Sequence, residues 1–508
     1  MRSRMKRFAA ASSVIFLSML GCSEEPGDRD SGPERDAAGS GDVGILDAGA
    51  SDAGGNVADA LDAAGADDGG TTLDSGASVG DDGGAADAGP TDAGPPDPRF
   101  CPAGVADGCC SLALRYGGAD PDCASLACAT ATLTEPIVLD DVPPAYAGTA
   151  AMSWTGHELR IAWTDLDSSP GESIWIERRS ADGSLRSGPT RRDVSLTSPS
   201  RFFLAGAALG YAPETDEGLF VSLGASLHAI SIDAADAPGW IADLPPSCNG
   251  FHQPVSAYDT GSEWLVAQVQ ERCASPVSPT VRLTRVARDG TIGDAITAPA
   301  RNRLGLSTAY DGSNEVALFY SGPSPSGNAD LRARVVDVAA WTAGTEEILI
   351  PISSSSVSLD QVEAGYDGMV YGIVYDLYSP VGASRWLTQF VTWSPGESPS
   401  AATTLFSSSD RRFAQARVVG NADGWTIAMT TVASTGTGLA PSASDDPEVW
   451  LYRLAPDGRV RQSQQIDADQ FAARLPDLEW VGGRIALTWA REDRDRREWH
   501  MLSFLGCD

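Results

Sequence analysis

Ala309-Tyr310-Asp311-Gly312-Ser313-Asn314-Glu315-Val316-Ala317-Leu318-Phe319-Tyr320 is a tight turn followed by an apolar run, and the same order returns along the chain. Related turns stand at Met152-Ser153-Trp154-Thr155-Gly156, Ala257-Tyr258-Asp259, Gly365-Tyr366-Asp367-Gly368, Asp423-Gly424-Trp425 and Glu479-Trp480-Val481-Gly482-Gly483. Tyr258 to Tyr310 is 52 residues and Tyr310 to Tyr366 is 56, close to the ~40–50-residue period of propeller blades. After each turn comes a segment of two-residue alternation, as in Leu159-Arg160-Ile161-Ala162-Trp163 and Ile485-Ala486-Leu487-Thr488-Trp489, the mark of a strand. A variable loop follows, then a third strand such as Val281-Arg282-Leu283-Thr284-Arg285-Val286. Asp182-Gly183, Asp289-Gly290 and Asp457-Gly458 then signal hairpins, because both central positions of such turns favour left-handed backbone. Fourth strands are expected at Thr190 to Leu196, Asp294 to Thr297, Glu347 to Ile352 and Thr403 to Phe406.

Four antiparallel strands per copy make an all-β chain and a β-propeller. Tandem sandwiches need about seven strands and ~100 residues per unit, twice this period. Copies are expected near Ala145–Ser195, Ser200–Gly250, Phe251–Asn302, Arg303–Ser354, Ser355–Ser408 and Ser409–Asp469, with a short last one from Phe471. That makes about seven blades. Six or eight stay open, because the Ser200–Gly250 copy lacks the Tyr-Asp-Gly turn. The last copy stops one strand short at Gly506-Cys507-Asp508, and an open ring exposes a long sheet edge. Residues 136–142 are therefore expected to supply the missing strand by pairing with Trp499 to Phe504.

Ahead of the propeller, expected over 135–508, the composition changes twice. Arg2, Arg4, Lys6 and Arg7 precede an apolar run from Phe8 to Leu20 that ends at Gly21-Cys22. The charged-then-apolar order is that of a secretory signal, and the run is short for a span of about 20 residues. The segment resembles the bacterial lipobox, although Met19 and Leu20 stand where that family has Leu and a small residue. The resemblance implies cleavage and lipidation at Cys22; an ordinary signal peptide or an uncleaved anchor are the alternatives. Ser23 after the cysteine resembles the outer-membrane sorting pattern of enterobacterial lipoproteins. Residues 23–98 collapse to Asp, Gly, Ala, Ser and Pro, with 19 acidic residues against Arg29 and Arg35, a net charge of −17. Such a stretch cannot bury a core and repels itself, so a disordered, extended tether is expected. Its Asp repeats lack the spaced ligands and bracing glycine of a calcium loop.

Residues 99–130 hold Cys101, Cys109, Cys110, Cys123 and Cys128. In an exported protein such density reads as a disulfide framework, and neither the spacing nor the histidines of a zinc site are present. The acidic tether followed by a small Cys-rich module resembles secreted lipoproteins of the myxobacterial type. Cys248 and Cys273 are placed to pair across adjacent copies, and Cys507 then pairs with one of the odd five.

Chemistry is sparse. No Gly-x-Ser-x-Gly elbow, His-Glu-x-x-His, Walker loop or dinucleotide fingerprint occurs, so no catalytic, metal or cofactor residue is assigned and no cofactor is expected. His157, His228, His252 and His500 lie far apart and at different strand phases, and each reads as a satisfied or exposed residue rather than a ligand. Asp140-Asp141, Glu346-Glu347 and Asp445-Asp446 read as turn and edge charges, since adjacent strand residues face opposite ways. Aromatic rings stack on sugars, but Trp163, Trp175, Trp264, Trp450 and Trp489 lie inside strand patterns and read as packing. After Pro98 the 50 acidic residues outnumber 30 basic ones, a net charge of −20, which argues against a nucleic-acid partner. The expected function is a membrane-anchored envelope protein, of the outer membrane and facing the periplasm or the surface, that recognises protein or glycan as a scaffold or adhesin. A propeller enzyme acting on polysaccharide, a glycoside hydrolase or a lyase, is the alternative. Recognition is expected at the loops Ser168–Glu172, Ser321–Ala329 and Ser434–Glu448.

Overall fold

The computed structural model describes residues 130–507, with breaks at 141–147, 166–171, 195–205, 224–226, 245–254, 271–279, 301–305, 324–328, 381–384, 434–445 and 468–471 and at positions 313, 355, 422, 494 and 496. By contacts the chain divides into Met1–Asp74, which lies outside the described residues, and Ser75–Asp508, which holds the fold. The lipobox, tether and Cys-rich module, with Cys22, Cys101, Cys109, Cys110, Cys123 and Cys128, fall outside the described residues, as do Cys248 and Cys273.

Seven sheets of four antiparallel strands form a β-propeller. Blade 1 runs through Ala151–Trp154, Leu159–Asp165, Glu172–Arg179 and Leu185–Val194, and blade 2 through Gly206–Ala212, Glu217–Leu223, Leu227–Ile232 and Pro238–Leu244. Blade 3 comprises Ser256–Asp259, Glu263–Gln270, Thr280–Ala287 and Ile292–Pro299. In blade 4 Leu306–Tyr310, Glu315–Pro323 and Ala329–Asp337 are followed by an outer edge split into Thr342–Ala343 and Glu347–Ile350. Blade 5 is Ser358–Tyr366, Tyr371–Tyr378, Trp386–Trp393 and Thr403–Ser408, and blade 6 is Arg411–Asn421, Gly424–Ala433, Glu448–Leu454 and Val460–Ile466. Blade 7 is Ala472–Val481, Arg484–Glu492 and Glu498–Gly506, completed by Thr132–Leu133 and Ile137–Val138. The blade without a Tyr-Asp-Gly turn, blade 2, is where the spacing placed it.

Strand composition follows position in the ring. The second strand of blade 4 is buried on both faces between its neighbours, so it reads as a continuous apolar run, as central strands covered on two sides do. Outer strands are more solvated: in Ile292–Pro299 only Ala298 is buried, and the strand carries Gly293 and Asp294. Apolar clusters form between blades. Phe319 of blade 4 packs edge-on against Trp393 of blade 5, with centroids 5.7 Å apart at 86°, and Ile373, Val391 and Leu331 fill the same layer. Each such side chain contributes about 1.5–3 kcal/mol on burial.

The Asp-Gly hairpins also join blades. Gly290 has φ +86°, and a Cβ there would stand 2.8 Å from the Trp240 ring of blade 2. At Gly183 a Cβ would meet the Phe504 ring of blade 7 at 2.7 Å. Glycine is required on two grounds, the left-handed backbone and the close approach.

Ring closure matches the expected pairing and extends it. Ile137 opposes Leu502 and Val138 opposes Met501, while Thr132 and Leu133 oppose Gly506 and Leu505. The closing strand thus begins at Thr132, three residues ahead of the expected start of the propeller. Between its halves Thr134 keeps the edge occupied, its amide donating to the Phe504 carbonyl at 2.9 Å and its hydroxyl accepting from the Phe504 amide at 3.0 Å. Asp140 is not an edge charge: its side chain is 6% exposed and accepts from the His500 amide at 2.6 Å, with His500 Nδ1 3.0 Å from its other oxygen. His228 likewise lies 2.7 Å from Asp243. Both buried histidines are therefore partnered at Nδ1, as the reading of the sequence expects, each by a carboxylate brought up beside its strand. Glu346 accepts from Tyr320 and Arg332, whereas Asp446 is the exposed charge the sequence suggests, at 80%.

Candidate functional site

The inner strands of all seven blades line a central channel with a cavity of about 160 Å³, room for several waters. Its wall has two characters. The charged lining residues, Glu363, Arg417, Asp477 and Glu479, all come from blades 5 to 7, whereas blades 1 to 4 contribute only uncharged ones, among them Met152, Ser153, Leu209, Val255, Ser256 and Tyr310. Crowding explains the small residues: a Cβ at Gly210 would lie 3.0 Å from the Ala257 carbonyl oxygen.

On the charged side Arg417 stands between two acids from neighbouring blades. Its Nε donates to Asp477 Oδ1 at 3.1 Å and its Nη1 lies 3.6 Å from Glu363 Oε1. The three side chains are 11 to 15% exposed. Burial pushes the Glu363 carboxyl up to about 7, with Arg417 and a Ser307 hydrogen bond opposing the shift. Burial raises Asp477 as well, against the pull of Arg417 and the Met152 amide. For Arg417 desolvation acts downward, yet the two carboxylates outweigh it and the guanidinium is held more firmly charged. Burial also raises the Tyr258 phenol to about 12.

These groups form a belt around the channel. The Tyr258 hydroxyl of blade 3 donates to the Thr308 carbonyl of blade 4 at 2.8 Å, and Ser307 Oγ of blade 4 accepts from the Ala364 amide of blade 5 at 3.0 Å. Glu363, Arg417 and Asp477 continue it through blades 5, 6 and 7. Asp477 Oδ2 and Glu479 Oε1 then accept from the Met152 and Trp154 amides of blade 1, each at 3.0 Å. Inner strands are edge strands with unpaired backbone groups, and the belt satisfies several of them across blade boundaries.

The arrangement bears on chemistry. Hydrolysis of a glycosidic bond by paired carboxylates requires the two acids to be ~5–10 Å apart with the bond between them. Here the guanidinium of Arg417 fills that space and is itself consumed by both acids. Among the described residues no group of three or more His, Cys, Asp or Glu side chains is arranged to hold a metal.

Among the tryptophans, Trp163, Trp264 and Trp489 are buried in blade packing, as read, while Trp175 is half-buried beside Trp163 and Trp450 is half-buried against the cluster around Trp425. Cys507 is exposed just past Gly506. The expected recognition loops lie largely outside the described residues, at 166–171, 324–328 and 434–445. Glu363, Arg417 and Asp477 were not anticipated. A signal existed: the inner strands of three consecutive copies each carry an ionisable residue amid apolar neighbours.

No family model matches the chain, and no curated protein matches it. Among solved structures it is similar to polysaccharide lyase Uly1, with 9% identity over 80% of this chain and 98% of that one and a TM-score of 0.44. A mutant of AofleA from Arthrobotrys oligospora matches at 12% identity over 67% of this chain and 91% of that one, with a TM-score of 0.37. Apo prolyl oligopeptidase B from Galerina marginata matches at 11% identity over 68% of this chain, with a TM-score of 0.35; the chain spans 47% of that protein's length.

Proposed function

We propose that the chain is an extracytoplasmic binding protein of the cell envelope, held on the membrane through Cys22 and presenting its propeller on an acidic tether to a protein or glycan ligand. The observation that carries the binding reading is Arg417 locked between Glu363 and Asp477, which turns the charged side of the channel into a braced wall rather than an open acid–base pair. The rest of the wall is uncharged and largely apolar, so a few polar groups converge on a cavity that is smaller than most ligand sites. Cys101, Cys109, Cys110, Cys123 and Cys128 fit a disulfide module, with Cys507 bonded to one of them and Cys248 to Cys273.

Two measurements test this reading. Mass spectrometry of the mature chain is expected to find a lipidated N-terminal Cys22, and Cys22→Ala an unlipidated protein; a terminus beyond Cys22 removes the anchor. The propeller is also offered to a glycan array and to purified envelope proteins beside Ala208→Phe, which adds a ring at a residue lining the channel. Saturable binding by the wild type supports the reading, and none to either sinks it. The alternative, a polysaccharide-cleaving propeller, rests on Glu363, whose carboxyl near 7 suits proton transfer at neutral pH. New reducing ends or unsaturated uronates from envelope polysaccharide, abolished by Glu363→Gln, replace the binding reading with that one.

A further inference from the structure

Blade 5 carries two polar and aromatic rungs that neither the channel nor the core uses. Across its second and third strands Tyr378 opposes Trp386, and Asp376 opposes Thr388. Residues two apart on a strand share a face, so the aromatic rung sits directly beside the acidic one. That face looks towards blade 6. Thr388 donates to Asp376 Oδ1 at 3.0 Å, and the Phe413 amide of blade 6 bonds to the same carboxyl group. Arg412 of blade 6 lies 3.7 Å from Asp360 of blade 5, with the two side chains 12 and 20% exposed.

The aromatic pair differs from the buried tryptophans. Tyr378 and Trp386 meet at 4.4 Å between centroids, tilted by 40°, and both are half-buried, partly open to solvent. They end the second strand and begin the third. Trp163, Trp264, Trp425 and Trp489 are fully buried. Behind the pair Asp376 is 0% exposed, and its Oδ2 has no hydrogen-bond partner among the described residues. Burial, and then the nearby Asp360, push that carboxyl well above the usual range.

We infer that the seam between blades 5 and 6 is a sugar-binding subsite, which takes a neutral pyranose ring stacked on Tyr378 and Trp386 with its hydroxyls on Asp360 and Arg412. The chemistry selects this class. A pyranose has an apolar C–H face for the rings and a rim of hydroxyls that both donate and accept, which suits an acceptor and a guanidinium donor side by side. Asp360 and Arg412 offset each other's charge, so the seam favours neither a cation nor an anion, and a purely apolar ligand leaves the charged pair desolvated. A hydroxyl, or a water carried beneath it, also reaches towards the unpartnered oxygen of Asp376.

The inference rests on the binding reading and is tested separately from it. The full chain is screened on a glycan array, and the strongest binder is titrated calorimetrically against the wild type and variants of unchanged thermal midpoint. Trp386→Ala and Asp360→Asn are each expected to weaken binding about tenfold or more, and Trp386→Phe, which keeps a stacking face, by no more than about threefold. Met369→Gln, 78% exposed in the turn at the other end of the second strand, is expected to bind as the wild type does. Failure of the wild type to bind any glycan overturns both the subsite and glycan recognition. Binding that survives Trp386→Ala and Asp360→Asn overturns the subsite alone; loss of that binding in Ala208→Phe places the sugar in the channel and leaves the binding reading standing.

Discussion

Glu363 and Asp140 are single carboxyl groups whose setting contradicts their sequence neighbourhood. Glu363 lies within an inner strand and is buried beside Arg417, and its carboxyl is pushed up to about 7 from an unfolded value near 4.3. A carboxyl that binds its proton more tightly in the folded state favours folding fully below the unfolded value. That contribution is lost as pH rises through about 7. Glu363→Gln is therefore expected to gain stability relative to the wild type between pH 5 and pH 8, by about 2 kcal/mol at the upper end. Thermal midpoints of both proteins at the two pH values measure it, and parallel curves refute the assignment. Asp140 reads in the sequence as one of a pair of surface charges. Only contact with His500, 360 residues away along the chain, makes it a buried acceptor. Local pattern registers that a residue alternates with its neighbours, and carries no record of a partner on a distant strand.

Strands and hairpins were more legible than individual side chains. The Asp-Gly hairpins were readable because their backbone demands leave a two-residue signature. What the glycine touches was not readable, since the Trp240 ring against Gly290 comes from the preceding blade. Gly290→Ala is expected to cost about 1–3 kcal/mol, from left-handed strain and overlap with that ring. Gly261 has φ +85° but nothing within 4 Å of its Cβ position, so Gly261→Ala carries strain alone and is expected to cost less. Equal losses in denaturant unfolding of the two variants remove the inter-blade contact from the account. The third strand of blade 5, Trp386–Trp393, escaped the reading because Trp-Leu-Thr-Gln-Phe-Val-Thr-Trp pairs its apolar residues instead of alternating them. It leads into Ser394-Pro395-Gly396 rather than an Asp-Gly turn, so the punctuation that marked other third strands is missing.

At the scale of the whole molecule the ring is held shut by a short segment from the opposite end of the chain. Leu139 is 2% exposed and packs with Leu502 and Phe504, and its amide donates to the His500 carbonyl at 2.9 Å. Deleting residues 131–140 removes this packing and uncovers the edge of Glu498–Gly506. The expected result is a loss of at least ~3 kcal/mol, with the whole propeller melting earlier in one transition. An unchanged midpoint, or fraying confined to blade 7, argues against closure as a source of global stability. The sequence by itself determined the all-β class, the four-strand repeat, the count of about seven and the need for a closing strand, because each is written in local period, turn chemistry and spacing. It also carried the expectations for Cys22, the tether and the cysteine module, which rest on composition and resemblance. Tertiary structure alone decided which side chains meet around the channel and at the seam of blades 5 and 6. Those neighbours lie about one blade apart in sequence and become adjacent only when the sheets close into a ring, so no local pattern encodes them.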